Sequence, residues 1–591
     1  MFANLRMCIG KHTKTLTLYN GLVENHFGEN KPGELLNRIK EAYGRDYVKI
    51  ISVFLFFFFV FSLVYFSVNR FTSTDDQFFN IRFAQIVRSH GLGAFNGFHW
   101  IYFSKFSLGN QAFFSDPLFY VAMVPFTFVN PLFLGIKLAA VLFASLIFTF
   151  FYFFLLKLRE KHAFIWTIAF FSILNYAYVW KMLMARSFVI APAVLLVLLY
   201  FAHTKKYYWV FGISFIYFFW HIATFFFPLG VVVLYFLFEN FYGKRFDWKL
   251  IIYSSGGLLL AVFATAIFFP KGFANFVYSF HIIYGIFHDT IIGKSVPIAE
   301  GSELYAGNFF DVLKENTFLI FLLVISVSYE IYRYVLWKKS GKRPLGERTN
   351  KSIIRGVLFF LSILFLFGTF ITSRNVDFFN LFAMAYVALA VNAVLGDVCF
   401  ENAATRKSIA YGIIIVLVYL FVGNGLFLED TISSSGAYDK IKGAADWLRA
   451  NTKQGEVVFN ATWNWFPTLF YYDTHNYYIA GAEPRDFYDY NPDLYWAWSN
   501  ISSRGYLCLH QSCDLVQAQQ RYYLRNEKLK KIWYEKEGDT VANYIVNNFK
   551  SHYVVTSKNF TALNDLMNNS ERFERVYADN GYGEFFIYKI K

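Results

Sequence analysis

Asp75 and Asp76 are the first residues in this sequence whose type and setting suit chemistry. They stand in STDDQFFNIRFAQIVRSHG (73–91), just beyond the first long apolar run. A carboxylate exposed there can act as a general base toward a hydroxyl or amide, or can hold a divalent cation through its oxygens. The structural alternative is a solvated pair opening the following helix, since Thr74 and two aspartates suit a helix N-terminus. A second candidate is Arg374 in TSRNVDFFNLF (372–382). Its planar fork can pair with two phosphate oxygens at once, with Asp377 one turn on as its partner. The alternative is a side chain snorkelling to a membrane interface. Glu300 and Glu303, in SVPIAEGSE (295–303), are further acids in a polar loop and read equally as solvated. Trp463, Asn464 and Trp465 set two aromatic faces around an amide, which serves ligand contact or packing alike. His221 falls inside an apolar run and reads as a packing residue, with a proton relay as the alternative. His90 and His99 lie nearer the aspartates, with nothing in the sequence to fix their geometry.

These residues have to be positioned by a membrane protein. Of the 591 residues 56% are hydrophobic and only 16% charged, and the mean hydropathy is +0.36. That balance suits lipid contact better than one large soluble core. The 76 phenylalanines and 42 tyrosines fit positions that need only be apolar. A formal net charge of +14 raises nucleic acid as a partner. The basic residues, however, fall in short clusters between apolar runs rather than in one tract, so no nucleic acid is expected and the charge reads as topology.

A crossing helix needs about 20 apolar residues. The runs that meet this are 48–68, 131–156, 163–181, 187–203, 206–221, 223–239, 250–269, 317–336, 353–372, 378–397 and 408–427, so about eleven spans are expected. Basic clusters (Lys157, Arg159 and Lys161; Lys205 and Lys206; Lys244, Arg245 and Lys249; Lys338 through Lys351; Arg406 and Lys407) each follow an even-numbered span. By the positive-inside rule those loops and segment 1–47 are cytoplasmic. Residues 117–130, short and punctuated by Pro117 and Pro125, are expected to lie at the interface or to dip partway in, because a full span there would invert every later loop. The first apolar run starts near Val48 and is too long for a cleavable signal.

Within the transmembrane region 48–429, loops 69–116 and 270–316 then face outward, followed by the tail 430–591. The tail opens with an amphipathic helix (Tyr438 to Ala450), continues into the strand-like EVVFNATW and ends with HYVVTS and EFFIYKI. That mixture predicts a compact α/β domain of about 160 residues. Cys508 and Cys513 lie close enough in sequence to pair in an oxidising compartment, or to stay free. The expected fold class is thus a polytopic α-helical membrane protein with a C-terminal extracytoplasmic α/β domain, in a plasma or inner membrane.

The segment after the first span resembles the first external loop of GT-C membrane glycosyltransferases, and is similar to the Asp-Pro-x-Phe-Asn-Tyr-Arg loop of the oligosaccharyltransferase catalytic subunit. The resemblance puts Asp76 at the family's catalytic aspartate, with Asp75 beside it as in the Asp-Glu pair of related mannosyltransferases. It puts Arg374 at the arginine that contacts the carrier's phosphate, and Glu300 or Glu303 at the acidic element of a mobile loop. ADWLRANTKQGEVVFNATWNWF (445–466) is similar to the helix and strand that lead to Trp-Trp-Asp-Tyr-Gly, but Asn464 and Phe466 replace the family's Asp and Gly. That departure counts against recognition of a peptide sequon and leaves Trp463, Asn464 and Trp465 to contact a sugar. The turn after the third span, KMLMARS (181–187), has no carboxylate where the family places a second acidic motif. A divalent cation therefore lacks half of its expected oxygen ligands, and Arg186 is left to bind an anionic carrier.

What the resemblance implies is transfer of a sugar from a polyprenyl-phosphate or pyrophosphate carrier to a glycan, lipid or protein acceptor. Two alternatives stay open. A lipid or sugar transporter or flippase is expected to show internal repeats, broken helices and charges at mid-membrane depth. A non-catalytic scaffold with a binding tail would survive Asp76→Asn.

Overall fold

In the computed structural model the apolar runs become helices. The structure describes residues 45–591 apart from 73–75, 105–106, 109–114, 175, 244–246, 270–276, 278–283, 286–305, 341–348, 398–402, 436, 438, 482 and 580–583. Asp75, Glu300 and Glu303 fall outside the described residues. Among the described residues, eight helical stretches are long and apolar enough to cross a membrane: Asp46–Phe66, Leu132–Lys157, Ile222–Phe241, Trp248–Phe268, Thr317–Val335, Lys351–Gly368, Asn375–Val394 and Ala410–Ser433. The chain is a multi-pass integral membrane protein.

The other expected spans also contain helix but are shorter. Those needed below are labelled in chain order: α1 (Asp46–Phe66), α2 (Asp76–His90), α3 (Pro117–Met123), α4 (Leu132–Lys157), α5 (Ala163–Ile173), α6 (Tyr176–Met182), α7 (Ser187–His203), α8 (Tyr207–Trp220), α9 (Trp248–Phe268), α10 (Asn375–Asp397) and α11 (Ala403–Ser433). The expected span 163–181 is interrupted between α5 and α6, where Leu174 turns to ψ 148°. The carbonyls released there have a partner. Asn424 of α11 donates its side-chain amide to Phe171 O at 2.9 Å, Ser172 O at 3.2 Å and Leu174 O at 3.2 Å. In a bilayer such groups have no water to turn to, so this one amide makes the break tolerable. The expected interfacial segment folds as α3 followed by a 3-10 turn, Val124–Phe128.

Two contacts fix how the spans meet. Lys137, buried on α4, donates to Tyr65 O at 2.8 Å and to Val68 O, satisfying one carbonyl that the end of α1 leaves open and one just beyond the helix. Gly257 on α9 faces α8 so closely that a Cβ there would stand 2.4 Å from Phe211 O, and Ser214 Oγ meets Ser254 Oγ at 3.0 Å beside it. Small residues permit this backbone approach, the usual device for helix association in lipid.

The tail forms α12 (Lys442–Asn451), β1 (Val457–Asn460), α13 (Phe466–Tyr472), β2 (Tyr477–Tyr478), α14 (Glu527–Asn548), β3 (Ser551–Ser557), α15 (Thr561–Asn569), β4 (Phe573–Ala578) and β5 (Phe585–Ile590). The five strands lie in the order β2-β1-β3-β5-β4. β1 is parallel to β2 and β3, whereas β5 is antiparallel to β3 and β4. Successive strand residues face opposite sides. Val458, Val555 and Ile587 join α12, α13 and the membrane core, whereas Phe459, Val554 and Tyr588 join α14 and α15. Cys508 and Cys513 are disulfide-bonded.

The first polar loop is built into this sheet. Ile101 runs parallel to Tyr478 of β2; Tyr102 N donates to Tyr478 O and Tyr478 N to Trp100 O, each at 2.8 Å. The loop and the tail therefore share one hydrogen-bonded sheet edge.

Candidate functional site

Asp76 is the first residue of α2, where a carboxylate suits the exposed amides of the first turn. The helix is held from two sides. Toward the tail, Phe78 packs edge-on against Tyr471 at 4.8 Å and Phe79 against Phe470 at 5.3 Å, while Arg82 Nε donates to Tyr471 O at 2.6 Å. Toward the membrane helices, Asn80 Nδ2 donates to Ala185 O at 2.9 Å.

The second partner is the turn between α6 and α7, the same KMLMARS segment that lacks an acid. The first loop takes hold of it along its length. Thr72 Oγ1 donates to Leu183 O at 3.1 Å. Arg186 Nη2 meets Asp76 Oδ2 at 2.7 Å. The hydroxyl of Ser187 donates to Asp116, at the far end of the loop. Carboxylates missing from the turn itself are thus supplied to it by the first loop.

Phe188, next in sequence, gathers the basic side chains. The Arg186 guanidinium carbon lies 5.5 Å from its ring centroid and that of Arg374 lies 5.8 Å away, within range of a cation–π contact in both cases. Arg374 stands in the turn just before α10, so two guanidinium groups from distant parts of the chain come to one ring. Asp377, expected beside Arg374, is ion-paired with Lys181 at 3.8 Å and is buried. The Asp76 side chain is 45% exposed and that of Arg186 12%, so the carboxylate is open to an incoming molecule and the cation much less so.

No family model and no curated protein matches this sequence. Among solved structures the chain is similar to a single-particle cryo-EM structure of the arabinofuranosyltransferase AftD from Mycobacteria. The TM-score is 0.49 at 12% identity, over 91% of this chain and 41% of that one. The chain thus spans less than half the length of that protein.

The remaining candidates have partners of their own. Trp463, Asn464 and Trp465 form a 3-10 turn after β1. Trp465 packs between Phe560 at 5.4 Å and Phe585 at 5.1 Å. Asn464 is exposed and accepts from Thr462 Oγ1 at 2.8 Å. This turn leads directly into α13, which packs on α2, so it connects to Asp76 through a helix. His90 closes the 15-residue α2 at the end opposite Asp76, about 20 Å away at 1.5 Å per residue. His99 stacks on Trp100 at 4.5 Å. His221, expected as a packing residue, is buried with its Nδ1 3.6 Å from Asp116 Oδ2.

Lys181, Phe188 and Asp116 escaped the sequence reading as site residues. Lys181 lies inside the turn that is notable for having no acid. Asp116 carried one signal, an acid directly before Pro117 at the close of the first loop. Among the described residues no group of three or more His, Cys, Asp or Glu side chains is arranged to hold a metal ion. Asp76 Oδ2 is engaged by Arg186, and the Asp116 oxygens by Ser187 and Ile222 N. The described carboxylates therefore do not converge on a divalent cation, which would need about six oxygen ligands. What the arrangement offers is a pair of guanidinium groups for an anion, with an exposed carboxylate touching one of them.

Proposed function

We propose that this chain is a membrane glycosyltransferase that passes a sugar from a polyprenyl-phosphate or pyrophosphate carrier to an acceptor on the outer face of the membrane. The observation that carries this reading is the convergence of Asp76, Arg186 and Arg374: a carboxylate at 2.7 Å from one guanidinium, and a second guanidinium on the same phenylalanine ring. Guanidinium forks suit phosphate oxygens. A carboxylate beside them suits an acceptor hydroxyl.

In this reading the carrier's isoprenoid tail lies in the bilayer and its phosphate sits against Arg374 and Arg186. Asp76 takes the proton of the acceptor hydroxyl. The acceptor oxygen then bonds to the anomeric carbon as the carbon–phosphate oxygen bond breaks, and the carrier phosphate leaves with the electron pair, its charge met by the two arginines. One displacement inverts the anomeric centre. Holding acceptor and donor at such a site supplies much of the rate by orientation alone. Trp463, Asn464 and Trp465, joined to α2 through α13, would contact the acceptor, whose sugar rings suit an aromatic face and an amide. Outward placement of the site is supported by the basic clusters after even-numbered spans and by the Cys508–Cys513 bond, since disulfides persist in oxidising compartments.

One observation favours a carrier-lipid transporter as the second reading: the break between α5 and α6, of the kind transporters use at mid-membrane. Its carbonyls are taken by Asn424, however, which suits a structural joint better than a substrate path.

The test is a comparison of glycan and lipid-linked-sugar profiles between cells carrying the wild type and cells carrying Asp76→Asn at equal protein level. Loss of one glycan with accumulation of its lipid-linked sugar supports transfer. Unchanged profiles would contradict it.

A further inference from the structure

Asp116 belongs to no sequence motif, yet it has an unusual backbone and partners for both carboxylate oxygens. Its torsions are φ 43° and ψ 53°, in the left-handed region, which residues with a Cβ seldom enter, although aspartate enters it more readily than most. Pro117 follows it, and a proline restricts the preceding residue toward extended torsions. A conformation disfavoured on both counts persists where surrounding contacts impose it.

Those contacts all come from one carboxylate. Oδ2 accepts from the Ser187 hydroxyl and faces His221 Nδ1 at 3.6 Å, and Oδ1 accepts from Ile222 N at 2.8 Å. Ser187 Oγ also lies 3.3 Å from His221 Nδ1, and Ser187 O accepts from Trp220 Nε1 at 2.8 Å. Asp116 therefore ties together two interruptions in the membrane helices, the start of α7 at Ser187 and the end of α8 at Trp220–His221. It also places a negative charge at the N-terminus of α7, where the helix dipole favours it.

The residue it fixes, Ser187, is flanked by Arg186 and Phe188. One neighbour holds Asp76, and the other carries both guanidinium groups. A side chain can aim only as well as its backbone is held, and Asp116 is the acidic anchor of that backbone from outside the helix. We propose that Asp116 is a positioning residue for the phosphate-binding pair Arg186 and Arg374: it pins Ser187 so that Arg186 and Phe188 present a fixed surface to the donor's phosphate. This rests on the glycosyl-transfer reading above. It adds a residue that acts through its neighbours and that the sequence pattern did not single out.

The experiment uses the full-length protein in lipid nanodiscs with Asp116→Asn and Ser187→Ala. Three quantities are read: affinity for a long-chain polyprenyl monophosphate lacking sugar, donor KM and kcat, and hydrogen exchange at the amides of residues 187–190. Asp116→Asn is expected to weaken probe affinity and raise donor KM about tenfold, the effect of one lost charge-assisted hydrogen bond. The expected change in kcat is smaller, and exchange at the start of α7 quickens. Ser187→Ala is expected to shift the same quantities in the same direction by about threefold, since it removes the hydroxyl and leaves the Ile222 contact. A purely structural role would lower the folded fraction while leaving KM and probe affinity of the folded protein unchanged, and that result overturns the proposal. Unaltered exchange at residues 187–190 in Asp116→Asn overturns it as well. A wild type that binds no polyprenyl phosphate, with exchange still quickened in Asp116→Asn, overturns the donor reading specifically and with it the purpose assigned to Asp116.

Discussion

The Asp76 carboxylate lies 2.7 Å from the Arg186 guanidinium, and that contact joins the first polar loop to the turn that opens α7. The pair divides two tasks that separate variants should distinguish. Asp76→Asn keeps the shape of the side chain and removes the base, so turnover is expected to fall by about 10²–10⁴-fold, the usual contribution of a general base. Donor affinity is expected to hold within a few-fold, because Arg186 and Arg374 remain. Steady-state transfer kinetics together with binding of donor to the inactive variant check both halves.

Arg374→Lys keeps the charge and loses the fork. A lysine offers phosphate a point contact in place of two parallel hydrogen bonds, and its ammonium stacks less well on Phe188. Donor KM is expected to rise about tenfold, equivalent to about 1.4 kcal/mol, with kcat less affected. A lysine variant indistinguishable from wild type would remove Arg374 from the phosphate site.

Lys137 makes a prediction about stability. Its ammonium serves Tyr65 O and Val68 O from within the helical core and lies 4.9 Å from the Tyr65 ring centroid. Lys137→Met fills the space but leaves those carbonyls without their donor. The expected cost is about 1–3 kcal/mol, read as a lower unfolding midpoint in detergent, with donor KM unchanged in the protein that remains folded.

Asp473 gives the tail a pH dependence of known sign. Burial pushes its carboxyl above the ordinary 3.8, an effect only partly offset by hydrogen bonds from His475 N and the Tyr478 hydroxyl. The folded state therefore binds this proton more tightly than the unfolded state. Asp473 favours folding increasingly as pH falls through its raised folded value toward 3.8, and that contribution is lost as pH rises above the folded value. Asp473→Asn should remove this component. Unfolding midpoints of the two proteins, measured from pH 7 down to pH 4, are expected to draw apart in the wild type's favour on the acid side.

Much of the framework was readable in the residues because lipid imposes length and strands impose alternation. The runs expected to span the membrane all contain helix, and EVVFNATW, HYVVTS and EFFIYKI contain β1, β3 and β5. β2 escaped notice because two residues carry no pattern; its partners are Val457 and Val458 on one side and Ile101 on the other. The interruption of span 163–181 was equally invisible, because Asn424 lies far along the chain and nothing local marks it as the donor. The amphipathic helix expected from Tyr438 begins at Lys442. Spacing leaves Cys508 and Cys513 open between pairing and freedom, and in the structure they pair.

For the site, residue types were legible and partnerships were not. Asp76 and Arg374 stand out because charge beside an apolar run needs a reason, and Arg186 because its turn lacks the acids that the resemblance implies. That Asp76 touches Arg186, that Phe188 receives both arginines and that Lys181 takes Asp377 are long-range facts that spacing does not encode. Asp116 offered only its place before Pro117, with no motif around it. Its importance lies in torsions and in three partners drawn from helices later in the chain.

The most direct test of sugar transfer at Asp76 is an assay with purified protein in sealed vesicles, supplied with labelled polyprenyl-phosphate sugars and a membrane extract as acceptor source. Label should move from carrier to acceptor with wild-type protein, and Asp76→Asn protein that still binds the carrier should move almost none. Label transferred equally well by Asp76→Asn protein, or a wild type that carries the intact lipid-linked sugar across the bilayer without breaking its bond to phosphate, would contradict the account.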